Sequence, residues 1–158
     1  MICIQGDKII LRSVDMSDID TTLLWENSCA EPLYGVFDEQ YTREDVVQFI
    51  ENQQRYSIAE TEQLRLMICL PDGKRVGAID LCDFDGSSAS ISIIIVEQAY
   101  RGKGYGGEAL RLMVEYAHSL GIRVLRANVL LENKISRQMF SSAGFVNVDA
   151  DTFELLLP

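Results

Sequence analysis

The segment Arg101-Gly102-Lys103-Gly104-Tyr105-Gly106-Gly107 constrains this chain more than any other. It joins an apolar, β-branched run, Ala89 to Val96, to a long amphipathic stretch, Gly106 to Leu120. The run reads as a central strand. The stretch reads as a helix with Leu110, Met113, Val114 and Ala117 on one face and Gly121 as its stop. Glycines let the intervening backbone turn so that several N–H groups face one point. Together with the helix N-terminus they make an anion site, for which a diphosphate is the usual guest. Arg101 and Lys103 add positive charge there. The spacing of a P-loop, GxxxxGK[ST], is absent. Gly102, Gly104 and Gly107 match the GxGxxG fingerprint of dinucleotide folds, with Glu132 as its only candidate ribose-binding acid. Such folds open with that fingerprint, whereas here it follows antiparallel hairpins.

Those hairpins are legible in turn chemistry. Leu64 to Leu70 and Arg75 to Asp83 flank Pro71-Asp72-Gly73-Lys74, where proline fixes one φ and glycine supplies a positive one. Asp85-Gly86-Ser87-Ser88 turns the chain again into Ala89 to Val96. Ahead of them, Lys8 to Arg12 reads as a short first strand. Asp15 to Asn27 reads as a helix capped by Asp15 or Ser17. Thr42 with Asp45 forms a capping box for a second helix. Between them lies an irregular, aromatic and acidic stretch, Glu31 to Tyr41. Behind the long helix come a strand (Val124 to Leu130), a helix (Lys134 to Ala143) ended by Gly144, and a closing hairpin (Phe145 to Val148, Thr152 to Leu157). The expected architecture is mixed α/β, a mostly antiparallel twisted sheet of about seven strands with about four helices on both faces. Residues 1–158 form one domain in this reading.

Charge sorts the partners. Lys and Arg total 14 against 24 Asp and Glu, a formal net charge of −10. Nucleic-acid and anionic-membrane binding rest on clustered cations and are excluded on this ground. A cationic ligand suits the surplus acid. No apolar run is of membrane-spanning length, and the N-terminal text lacks the pattern of a secretory leader. Cys3, Cys29, Cys69 and Cys82 lie far apart with no metal-ligand spacing, so reduced thiols, no metal and a cytoplasmic location are expected. His118, the only histidine, has no triad partners and reads as a surface residue. Trp25 reads as core or pocket wall.

Arg101-x-x-Gly104-x-Gly106 resembles the [RQ]-x-x-G-x-[GA] acyl-CoA loop of the GNAT superfamily of N-acetyltransferases. The wider text RGKGYGGEALRLMVEYA, then Asn133-x-x-Ser136, Phe140 and Gly144-Phe145, is similar to the branch that acetylates ribosomal-protein N-termini and small amines, including diamines and polyamines. KIILRSVDMSDIDTTLLWENS is similar to that branch's first strand and helix.

The resemblance implies a GNAT-like sheet whose central strands splay, with the pantetheine arm of acetyl-CoA pairing in the gap as an added strand would. The pairing groups map to the backbone of Ile93, Ile94, Ile95 and Val96, one N–H of which can also serve the oxyanion. The pyrophosphate maps to the amides of Arg101, Gly102, Lys103, Gly104, Tyr105, Gly106 and Gly107. Asn133 and Ser136 map beside the thioester. Capping of the helix from Lys134 explains Asn133 equally well. Glu108 resembles a recurrent acid after the loop and also suits a first helical turn without any catalytic role. Gly144-Phe145 reads as a helix stop and a core aromatic.

Two positions depart from the family's pattern. Many relatives carry Glu five residues before the Asn and Tyr seven after it; here these are Asn128 and Phe140. No catalytic residue is therefore assigned. Glu31, Asp80 and Asp83 are candidate bases by region, each also readable as a solvated acid. Tyr34 and Tyr41 either line an amine pocket or pack. The implied activity is acetyl-CoA-dependent transfer to a primary amine, either a small amine or a peptide N-terminus. The alternative is a CoA-binding sensor or interaction module without catalysis, and a dinucleotide-dependent oxidoreductase comes third. Relatives often dimerise, so a homodimer is within the expectation.

Overall fold

Burial runs unbroken over residues 66–69 and 76–81, so both faces of the sheet need cover, and helices supply it on either side. The computed structural model describes residues 1–28 and 40–158. In chain order the elements are β1 (Cys3–Gln5), β2 (Ile10–Ser13), α1 (Ile19–Ser28), α2 (Arg43–Arg55), α3 (Ile58–Thr61), β3 (Leu64–Cys69), β4 (Arg75–Cys82), β5 (Ser88–Ile95), α4 (Tyr105–Ser119), β6 (Val124–Asn128), α5 (Lys134–Ser142), β7 (Val146–Asn147) and β8 (Thr152–Leu156). The strands form one sheet in the order β1-β2-β3-β4-β5-β6-β8-β7. Every pairing is antiparallel except β5 with β6.

One face packs Leu66, Ile68, Ile79, Leu81 and Ile91 against Ala109, Leu110 and Met113 of α4 and Phe140 of α5. The other packs Met67 and Cys69 against Ile19 and Trp25 of α1 and Val46 and Ile50 of α2. The predicted caps form. Asp15 accepts the Ser17 N–H at 2.8 Å, ahead of a 3-10 turn, Met16–Asp18, that leads into α1. Thr42 accepts from the Asp45 N–H, and Asp45 returns the bond to the Thr42 N–H at 2.8 Å.

The architecture is the expected mixed α/β fold, with one strand and one helix more, among the described residues, than the sequence announced. The added strand, β1, is three residues long and pairs Cys3 opposite Arg12. The added helix, α3, is a single turn of four residues. Neither is long enough to show a hydrophobic period. The first strand begins at Ile10 rather than Lys8, because Lys8 belongs to the turn out of β1.

The parallel pairing of β5 with β6 is brief. It covers only Ser88–Val124, Ala89–Leu125 and Ser90–Arg126. From Ile91 onward the two strands diverge, while β4 follows β5 to Ile95.

Candidate active site

The divergence leaves one edge of β5 open. In an antiparallel ladder alternate residues aim their backbone groups at the partner or away from it. The Val96 N–H donates to the Val76 carbonyl at 3.0 Å, which sets the phase. The Ile94 carbonyl turns toward β4, where it would lie 2.1 Å from a Cβ built on Gly77. The backbones of Ile93 and Ile95 therefore face the gap. Of the predicted pairing residues, Ile95 and Ile93 face the opening, while Ile94 and the Val96 N–H are engaged with β4.

The glycine loop closes the end of this gap. Gly102 and Gly104 hold φ of +76° and +84°, a left-handed conformation that glycine adopts without penalty. Gly104 caps α4, whose first internal donor is the Glu108 N–H, to the Gly104 carbonyl at 3.1 Å. The N–H groups of Tyr105, Gly106 and Gly107 thus stand ahead of the helical ladder, at the positive end of its dipole. A Cβ on Gly102 or Gly107 would meet nothing within 4 Å, so this backbone is open to a guest. A Cβ on Gly106 would lie 3.8 and 3.9 Å from the Ile95 and Ile93 side chains, which places loop and open edge side by side.

The loop's charge is arranged differently from the expectation. Arg101 folds back: its Nε donates to the Ile95 carbonyl at 2.8 Å and its Nη2 to the Val96 carbonyl at 3.1 Å. Its own N–H donates to the Gln98 carbonyl. Arg101 thus holds the end of β5. Lys103 remains exposed, and Lys8, from the turn after β1, reaches the loop with Nζ 3.4 Å from the Lys103 carbonyl. Glu108 is buried and faces away from the loop. Its Oε1 accepts the Lys8 and Ile9 N–H groups at 2.9 and 3.2 Å, fixing the turn that carries Lys8.

Asn133 is buried and caps α5, accepting the Ser136 N–H at 3.2 Å. Phe140 packs into the core, edge-on to Phe145 with ring centroids 5.1 Å apart. Asn128 is exposed at the end of β6, near Thr152 Oγ1. His118 is exposed, 3.1 Å from the Pro158 carbonyl.

On the opposite face lies a cavity of about 350 Å³, bounded by α1 and by β3, β4 and β5. Trp25, Glu26, Tyr41, Arg65, Asp80 and Ser92 are among its walls. Thr22, Glu26, Tyr41 and Arg65 also border a second hollow of about 500 Å³, lined beyond them by Gln40, Asp45, Gln48, Phe49 and Gln63. Of the candidate bases, Asp80 is in the first cavity, buried and paired with Arg65 rather than solvated. Asp83 follows β4 at φ +52° and lines neither hollow. Cys29, Glu31 and Tyr34 lie outside the described residues. Glu26 was not foreseen from the sequence. Its only local signal is an acid one residue after Trp25 on a helix.

Comparison with known proteins gives the family. Bacillus subtilis YycN, an uncharacterized N-acetyltransferase, is 38% identical over 52 residues, 33% of either chain. Bacillus subtilis YjcK, a probable N-acetyltransferase, is 25% identical over 154 residues, 90% of this chain and 82% of that one. The matches span about a third of YycN and 28% of an uncharacterized Methanocaldococcus jannaschii protein. Among solved structures, spermidine N-acetyltransferase from Vibrio cholerae, in complex with CoA and spermine, superposes with a TM-score of 0.79 at 16% identity, covering 96% of each chain. A ribosomal L7/L12 alpha-N-protein acetyltransferase in complex with coenzyme A gives 0.77 at 14% identity, covering 99% of this chain and 98% of that one. Residues 8–146 match the acetyltransferase (GNAT) domain family, and the chain belongs to it.

Proposed function

We propose that this protein transfers the acetyl group of acetyl-CoA to a primary amine, and that the acceptor is cationic. The observation that carries this is the open edge of β5, which has the glycine-loop amides at its end and an acid-lined cavity across the sheet. The backbone groups of Ile93 and the N–H of Ile95 offer an extended amide chain the pairing that β6 withholds, while Arg101 holds the Ile95 carbonyl. The amides of Tyr105, Gly106 and Gly107, with Lys103 and Lys8, offer a diphosphate its donors and charge. Asn133 and Ser136, at the start of α5, are proposed to border the same cleft. Acetyl-CoA is a substrate here and supplies the activated acyl group.

The cavity supports the acceptor class. Glu26 and Asp80 face one half-buried cation, Arg65, and Asp45 lines the adjoining hollow. Among the described lining residues acids outnumber bases, so an ammonium is attracted and a carboxylate repelled. Such an amine, ordinarily protonated up to a pKa of ~10.4, must shed a proton before it attacks. The departing thiolate needs little help, since a free thiol ionises near ~8.5. A buried Phe140 in place of an acid is therefore compatible with turnover.

Incubation with acetyl-CoA and a panel of mono-, di- and polyamines and short peptides tests this, with CoA release as the readout. Release with cationic amines above the amine-free rate is expected. No release from any of them, with acetyl-CoA still raising the melting temperature, would instead support a CoA-binding sensor.

A further inference from the structure

A polar row crosses the cavity side of the sheet at one level. Arg65 on β3 stands opposite Asp80 on β4, and Asp80 opposite Ser92 on β5. The next level along is apolar: Met67, Ala78 and Ile94. Arg65 Nε and Nη2 each donate to one Asp80 oxygen at 2.8 Å, and Nη1 donates to Glu26 Oε1 at 2.6 Å. The guanidinium also lies over the Phe49 ring, 5.1 Å from its centroid. Burial works against its charge, but Asp80 and Glu26 outweigh burial and raise its pKa, so Arg65 stays protonated.

An ion pair so largely withdrawn from water returns little net stability, because desolvation consumes most of the attraction. Its effect here is placement. Both Asp80 oxygens are occupied by Arg65. Glu26 gives Oε1 to Arg65, and its Oε2 has no hydrogen-bond partner among the described residues. That carboxylate borders both hollows and shares the first with Ser92, Ile93 and Ile94 of β5, beside the open edge.

We infer that Glu26 accepts the proton of the acceptor's ammonium through Oε2, and that Arg65, anchored on Asp80, is its positioning residue. The inference rests on the acetyl transfer proposed above. The ammonium gives one proton to Glu26 and becomes a neutral amine. The amine lone pair then forms the C–N bond as the C–S bond breaks. The nitrogen's second proton goes to the departing thiolate, and Glu26 returns its own to solvent. Asp80, unlike Glu26, has no oxygen left unengaged.

The test uses an amine that the wild-type protein acetylates. Glu26→Gln keeps the side chain's size and the oxygen that accepts from Arg65. Its kcat at pH 7 is expected to fall about 100-fold, the scale of a lost proton acceptor. The deficit should narrow as pH approaches the amine's own pKa, where free amine arrives unaided. Glu26→Asp should retain more activity than Glu26→Gln. Arg65→Lys keeps the charge but cannot bridge two carboxylates. It should lower kcat about tenfold and displace the acidic limb of the pH profile, with KM for acetyl-CoA unchanged. Among the described residues, the charged and titratable groups that line the hollows with Glu26 are Arg65 and Asp80 from the sheet, Tyr41, and Asp45 from α2; β5 contributes none. The rise in melting temperature on adding CoA should match wild type in each variant, which reports an intact fold. A Glu26→Gln protein that matches wild type in kcat at every pH overturns the assignment and leaves acetyl transfer standing. Absence of transfer by the wild type to any amine overturns both.

Discussion

Lys8 illustrates what single residues do here that their neighbours in sequence do not reveal. It lies 95 positions from Lys103 yet meets the same loop, because Glu108 ties its N–H to α4. Lys8→Met should weaken acetyl-CoA binding about fivefold at low salt, the upper end of what one exposed charge contributes. Titration of CoA by calorimetry checks it, and the loss should shrink in 0.5 M salt, where about 4 Å of screening suffices to mask it. Asp18 is a second case. It is buried and accepts from Arg12 Nη1 and Nη2 at 2.8 Å, from Arg75 Nε at 2.5 Å and from the Asp15 N–H at 2.8 Å. Burial pushes its carboxyl up, but the bonds from Arg12, Asp15 and Arg75 outweigh burial and hold it below the ordinary 3.8. A carboxyl so depressed stabilises the fold above its unfolded pKa, and that contribution is lost as pH falls through the folded value. Asp18→Asn should cost about 3–5 kcal/mol near neutral pH by stranding two arginines. It should also flatten the acid limb of stability below pH 3.8, read by urea unfolding. The Asp18 partners lie on β2 and β4, so the sequence, which suggested only a helix start, is silent about them.

At the scale of elements, glycine positions decide whether the gap exists. Gly77 sits at a bulge in β4, where the register against β3 shifts between Ile68 and Cys69. A Cβ there would fall 2.1 Å from the Ile94 carbonyl, and backbone cannot yield as a flexible side chain can. Gly77→Ala should destabilise by about 1–3 kcal/mol, measurable as a lower melting temperature, and should lower CoA affinity as β5 shifts. Gly104 caps α4 at φ +84°, where alanine costs about 1–2 kcal/mol. Gly104→Ala should weaken acetyl-CoA binding more than it lowers the melting temperature, since the strain falls on the amides meant for the diphosphate. The caps of the 3-10 turn before α1, of α2 and of α5 were readable because each is settled within three or four residues. The hairpin turns were readable for the same reason. β1 and α3 were not, since neither is long enough to display a period.

For the whole molecule, the charge of −10 takes on a location. Lys8 and Lys103 gather at the glycine loop on one side of the sheet, while Glu26, Asp80 and Asp45 line the hollows on the other. A diamine or polyamine should therefore show a KM that rises several-fold between 20 mM and 300 mM salt, with kcat little changed, because screening weakens attraction and leaves the chemistry alone. Steady-state kinetics at two ionic strengths decide it. The sequence by itself determined the mixed α/β class, the glycine loop at a helix N-terminus, the order of hairpins before it and the family they resemble. All of these are carried by contiguous text, where turn chemistry, caps and periodicity act over a few residues. The tertiary structure alone decided that β6 leaves β5 after Ser90, that Arg101 turns inward while Lys8 arrives in the loop, and that Glu26, Arg65 and Asp80 meet. Each of these depends on strand register and helix docking between residues far apart in the chain. A one-residue change of register would send Arg65 and Asp80 to the opposite face, and no local pattern records which register the sheet adopts.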